Sequence, residues 1–146
     1  MDPISIITGV SGICVTGAKL LFKLSSFVNE VRGVPNSVQS LSNELSAVYT
    51  ALSQLKITVE NYASIPSKTF PAWANDFAVV IENCRVTFGE IEVICEKSKI
   101  KTKETNGGQV VKRIRWMWKE GEVLELRERL ERYKVSMILI LEAANW

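Results

Sequence analysis

The sequence predicts an all-α protein: an antiparallel, up-down four-helix bundle, with an extra short helix before the last long one. Three observations predict it. Four segments carry apolar residues at alternating spacings of three and four. Glycines, prolines and polar clusters separate these segments. No segment shows a convincing apolar-polar alternation of the kind a half-buried strand needs. At 146 residues with 47% hydrophobic side chains, the chain is the size of one domain and can bury a substantial core. The expected helices cover residues 3–31, 36–62, 71–98 and 110–144, the last with a break near Gly121.

In the first helix, Asp2 can cap a segment whose first residue is Pro3, and residues 3–18 are uncharged. Ser5, Thr8, Gly9, Gly12 and Thr16 fall on one narrow face of small residues, suited to close packing against another backbone. Ile7, Val10, Cys14, Ala18, Leu21 and Val28 lie opposite, while Lys19, Lys23, Ser26 and Glu30 continue the small face as a polar one. The run is not a secretory signal, because Asp2 precedes it and its first cation is Lys19. Sixteen uncharged residues also fall short of the roughly 20 that cross a bilayer, although Leu20, Leu21 and Phe22 could extend the run past Lys19 into a transmembrane helix.

Gly33 and Pro35 end that helix. Val38, Leu41, Leu45, Val48, Leu52, Leu55, Val59 and Tyr62 then form a seam over more than three heptads. "ASIPSKTFP" supplies a turn. Trp73, Phe77, Ile81, Cys84, Phe88, Ile91 and Cys95 form the third stripe. "KSKIKTKETNGGQVVKRIR" reads as a mobile connection, with residues 110–119 as a turn or short helix. Val123, Leu126, Leu130, Tyr133, Met137 and Ile140 form the last stripe. Seams of this periodicity favour shallow crossing angles in a bundle.

Net charge is only +2, but residues 96–119 form a block of +6 between two blocks of −2. Lys97, Lys99, Lys101, Lys103, Lys112, Arg113, Arg115 and Lys119, beside Trp116 and Trp118, make a basic, interfacial patch suited to anionic lipid. The same residues equally suit a solvated loop with its indoles packed on the bundle. No zinc-finger spacing or RNP1 pattern gives ground for nucleic-acid binding. Cys14, Cys84 and Cys95 have no C-x-x-C spacing, which points to a reducing, cytoplasmic compartment and against a thiolate metal site. The chain has no histidine, and "GVSG" and "TNGGQ" lack the phosphate-loop pattern. Glu90 with Glu92, and the alternating charges of residues 120–134, read as solvated helix faces. No catalytic residue, metal or cofactor is therefore expected, and the chain is read as something other than an enzyme.

The opening "MDPISIITGVSGI", then "FVNEVRGVPNSVQSLSNELSAVYTALSQL" and "RIRWMWKEGEVLELRERLERYKVSMILIL", resemble the fungal N-terminal domain of STAND proteins, a relative of HeLo and HeLo-like domains. The likeness covers nearly the whole chain. Its most specific parts are Asp2, Pro3 and Ser5 and the closing pattern of Trp116, Lys119, Leu130, Tyr133, Lys134 and Ser136. The resemblance implies a cytoplasmic effector or signalling module that self-associates, precedes downstream STAND domains and is recruited to the plasma membrane in programmed cell death. It makes residues 4–22 the membrane-active segment, with Ile4, Ile6, Ile7, Val10, Ile13, Cys14, Val15, Leu21 and Phe22 as its apolar side chains. The rival expectation is a non-lytic protein-interaction or autoinhibitory module that touches no lipid.

Overall fold

Four helices form where the apolar spacing places them: α1 (Pro3–Glu30), α2 (Asn36–Ala63), α3 (Ala72–Lys97) and α4 (Glu120–Ala144). Between α3 and α4 lie two antiparallel strands, β1 (Lys99–Glu104) and β2 (Val110–Arg115). The computed structural model describes residues 3–30, 33–64, 72–97, 99–104, 110–115 and 119–145.

The protein is a four-helix bundle whose chain runs up, down, up, down. Its ring order differs from its chain order. α1 packs on α2 and α3, and α4 packs on the same two, so α1 faces α4 across one diagonal and α2 faces α3 across the other. Like-directed helices are therefore neighbours. Gly9 of α1 lies against Ile81 of α3 and Gly17 against Phe88, so the two helices run parallel. Ser37 Oγ donates to Glu120 Oε1 (3.1 Å) and Lys134 Nζ meets Glu44 Oε1 (2.7 Å), so α2 and α4 also run parallel. α3 and α4 are antiparallel, joined by the Thr87–Tyr133 hydroxyl pair (2.9 Å) and by Arg129 with Glu90.

The α2 seam is buried as its spacing requires, from Val38 to Val59, with Tyr62 half-buried and set edge-on to Trp73 of α3 (centroids 5.7 Å). α3 buries Ala74, Phe77, Val80, Cys84, Thr87, Phe88, Ile91 and Cys95, with Trp73 and Ile81 partly covered. α4 buries Val123, Leu126, Leu130, Met137 and Ile140, and Tyr133 reaches Thr87 from a half-buried position. In α1 the stripe is Ile6, Val10, Ile13, Cys14, Leu20, Leu24 and Phe27, with Gly17 in the same line. Gly33, at φ 84°, supplies the left-handed residue that turns α1 into α2. The Pro35 carbonyl then accepts from Val38 N and Gln39 N. Glu120 and Glu122 stand in the first turn of α4, where carboxylates oppose the helix dipole favourably.

Two expectations are corrected. Residues 99–104 and 110–115, read as a mobile connection and a turn or short helix, pair as strands, Lys99 opposite Arg115 through Glu104 opposite Val110. In "KIKTKE" Lys99, Lys101 and Lys103 alternate with Ile100 and Thr102, and in "VVKRIR" Ile114 stands between Arg113 and Arg115, but each stretch has too few apolar residues to mark a strand by its pattern. The intervening Asn106–Gly107 pair is a strong hairpin signal in the sequence. α4 accordingly begins at Glu120 and shows no break within Glu120–Ala144. The turn "SIPSKTFP" apart from Ser64 lies outside the described residues, as do Asp2, Trp116 and Trp118.

Gly17 and Gly12 separate two roles of α1. A Cβ at Gly17 would stand 3.1 Å from Phe88 Cε2 and 3.5 Å from Tyr49 Cδ2, whereas one at Gly12 meets nothing within 4 Å. Gly12→Ala is expected to stabilise the bundle by about 1 kcal/mol through helix propensity. Gly17→Val is expected to destabilise it by about 1–3 kcal/mol through overpacking. Urea denaturation of the two variants checks the opposite signs.

Candidate functional site

α1 is built with two apolar aspects. Its heptad-spaced stripe is buried, yet Ile4 and Phe22 are 76% exposed and Val15 is 56% exposed. Of the expected membrane-active residues, Ile6, Val10, Ile13 and Cys14 therefore lie in the core, Ile7 and Leu21 at its margin, and Ile4, Val15 and Phe22 on the surface. The segment Ile4–Asn29 is long and apolar enough to cross a membrane by length and composition, a test that core helices of soluble proteins also pass.

The small-residue face is placed differently from its expected packing role. Ser5, Thr8 and Gly12 are exposed, and Gly9 and Thr16 half-buried, with Thr16 Oγ1 donating to the Gly12 carbonyl (3.2 Å). The bundle takes its close approach at Gly17 instead. The reason is angular. The buried line advances from Ile6 to Phe27 in steps of four and three, which leaves Ser5, Thr8, Gly12, Val15, Lys19 and Phe22 on the outer line. Because nearly every residue of the first four turns is apolar or small, the sequence alone did not fix which line faced inward.

The basic patch is divided. Lys97 and Lys119 are exposed at the ends of α3 and before α4, while Lys99, Lys101, Lys103, Lys112, Arg113 and Arg115 belong to the strands. Lys19 and Lys23 of α1 flank Glu92 of α3 in a shallow pocket close to where β1 begins. Arg129 donates to Glu90 across α3 and α4 and to Glu125 one turn away on its own helix (2.6 Å), so Glu90 serves helix pairing.

A groove of about 800 Å³ runs between α3 and α4, floored by Val86, Gly89, Val93, Ile94 and Leu126 and rimmed by Lys97, Glu122 and Arg129. A second apolar surface, Val135, Ile138 and Leu139, is exposed on α4. Neither was expected from sequence. The second lies off the buried seam, and its signal in the sequence was the density of apolar residues in "VSMILIL".

All three thiols are free and buried. Desolvation pushes Cys84 up to about 12, helped by the nearby Cys14, and pushes Cys95 up to about 12; Cys14 is raised by the same burial. These are protonated core side chains rather than nucleophiles. Among the described residues, no three His, Cys, Asp or Glu side chains are grouped to hold a metal ion. Because the folded thiols hold their protons above the unfolded value, their contribution is complete below about pH 8.5 and is lost as pH rises from there towards 12. Cys84→Ala is expected to flatten the alkaline limb of the stability-pH curve relative to the parent chain, read from urea midpoints between pH 8 and 11.

No curated protein and no solved structure matches the chain. The family described as pigment biosynthesis cluster protein PigL N-terminal matches over residues 1–146. A match across the whole length of these four helices and their hairpin means that the chain belongs to the PigL N-terminal family.

Proposed function

We propose that this chain is a cytoplasmic effector or signalling domain of a fungal STAND-type receptor, HeLo-like in character. It acts by self-association and by recruitment to, and permeabilisation of, the plasma membrane in programmed cell death. The observation that carries this reading is the double character of α1, whose exposed line sets Ile4, Val15 and Phe22 among small residues with no charge before Lys19. At 1.5 Å per residue its 28 residues measure about 42 Å, enough to reach through a hydrocarbon core of about 30 Å.

Energetics set the order of events. α1 keeps Ile6, Val10, Ile13, Cys14, Leu20, Leu24 and Phe27 out of water. At about 1.5–3 kcal/mol per large apolar side chain, extracting the helix into water costs as much as a typical domain's whole stability of about 5–15 kcal/mol. Extraction into lipid does not expose that stripe to water. The outer line therefore meets the bilayer first, with Lys19 and Lys23 held at the headgroups, and the buried line follows.

The α4 surface of Val135, Ile138 and Leu139 favours a second reading, a non-lytic interaction module that holds a partner or a second copy and touches no lipid.

Because Val15 and Phe22 are exposed, Val15→Glu/Phe22→Glu is expected to keep the helical circular dichroism and the urea midpoint within about 0.5 kcal/mol of the parent. It is also expected to abolish dye release from vesicles. A parent chain that releases no dye, and whose self-association is lost on Ile138→Glu/Leu139→Glu, sinks the membrane reading in favour of the interaction module.

A further inference from the structure

We infer that a second copy of this chain docks, inverted, on the α3–α4 face, so that the exposed apolar ridge of each α4 fills the other's groove and closes a two-fold dimer. The inference rests on the self-association in the function proposed above and names its surfaces; it does not depend on lipid.

Two uncovered surfaces carry it. The groove exposes Val86 and Val93 beside the buried Leu126, and a Cβ placed at Gly89 meets nothing within 4 Å. A glycine in mid-helix lowers helix propensity, and unlike Gly17 this one relieves no crowding within its own chain. The notch is open to another chain. The ridge is Val135, Ile138 and Leu139, at the i, i+3, i+4 spacing that sets all three on one side of a helix, with Glu142 one turn further on. Ridge and groove match in length. Val135 to Glu142 spans about 10 Å, and so does the groove from Glu90, tied to Arg129, along α3 to Lys97.

Charge fixes the direction. The last turn of α4 holds no basic residue, so nothing in that turn offsets Glu142 and the negative end of the helix dipole. Lys97 stands at the end of the groove nearest the start of α4, and no ion pair engages it among the described residues. Thr87 is level with Tyr133 and Glu90 with Arg129, which puts Lys97 level with Glu122. Setting Glu142 of the second copy against Lys97 therefore inverts that copy. Its Leu139 comes level with Ile94 and Leu126, and its Val135 level with Gly89. The inversion that seats one ridge also seats the other, about a two-fold axis at Arg132. Glu128 and Glu131 lie around Arg132 on the same surface, so the two guanidiniums that meet at the axis stand among four carboxylates. The result is an isologous contact, the commonest way for a chain to pair with itself.

A helix suits this groove better than a small molecule does. Ligand sites converge polar groups on their occupant, whereas Arg129 is already engaged by Glu90 and Glu125. The dimer is also built on the helix diagonal to α1, and the outer line of Ile4, Val15 and Phe22 takes no part in it.

Sedimentation equilibrium across the micromolar range tests the dimer. The parent chain is expected to pass from monomer to dimer and no further. Gly89→Leu plugs the notch while gaining helix propensity, and Leu139→Glu charges the exposed ridge. Each is expected to weaken dimerisation at least about 100-fold, with helical circular dichroism and urea midpoint retained. An equal mixture of the two variants keeps one intact groove with one intact ridge, and is expected to pair more tightly than either variant pairs with itself. Because the closed dimer holds the Lys97–Glu142 contact twice, Lys97→Glu is expected to weaken it about tenfold and Lys97→Glu/Glu142→Lys to recover it. A parent chain that stays monomeric overturns the dimer, and if it still releases dye from vesicles the membrane reading stands without it. Growth beyond the dimer overturns the closed two-fold arrangement, and failure of the charge exchange to recover affinity overturns the inverted alignment. A dimer untouched by Gly89→Leu, or a mixture that pairs no better than its components, overturns the seating of ridge in groove. A dimer with all these properties in a chain that releases no dye upholds the inference and rejects the membrane reading alone.

Discussion

The bundle depends on α1 being wedged between α2 and α3. Gly17 is where this is tightest, since Phe88 of α3 and Tyr49 of α2 converge on the space its missing side chain leaves. That single approach fixes three helices at once. It sets α1 against both neighbours at mid-height, and the lines Ile6–Val10–Ile13 and Leu20–Leu24–Phe27 follow above and below it into the core. A helix held this way cannot shift along its axis by one turn without driving a larger residue into two aromatic rings.

The ring order gives the polar contacts their meaning. Parallel neighbours α2 and α4 bring Glu44 beside Lys134, whose ammonium at 2.7 Å gives a solvent-sealed carboxylate oxygen its counter-charge. Antiparallel α3 and α4 place Thr87 opposite Tyr133 and Arg129 opposite Glu90. Each contact demands one axial alignment that the uniform aliphatic seams do not demand. The exposed ion pair of Arg85 with Glu82 lies within a single helix and aligns nothing, so it adds little.

In the membrane role proposed above, one helix would serve both a resting and an active state. α1 hides one apolar line and exposes another, so contact with lipid does not first require that the core be opened. The thiols follow the same logic. Cys14 and Cys84 face each other across α1 and α3 as protonated packing groups, and their burial keeps them from acting as reactive handles on the resting domain.

The sequence by itself determined the four helices and the main buried lines of α2, α3 and α4, because apolar residues at spacings of three and four leave one angular solution among polar neighbours. It did not determine the inward line of α1, where apolar and glycine residues surround the helix axis and several lines score alike. The hairpin was signalled by the Asn106–Gly107 pair, but its flanking segments are too short and too rich in charge for their alternation to stand out as strands. The ring order was decided by tertiary structure alone. Aliphatic seams are chemically interchangeable, and which one meets which is chosen by singular features: an absent side chain at Gly17, a carboxylate at Glu44, a phenol at Tyr133. These find their partners only when all four helices are in place.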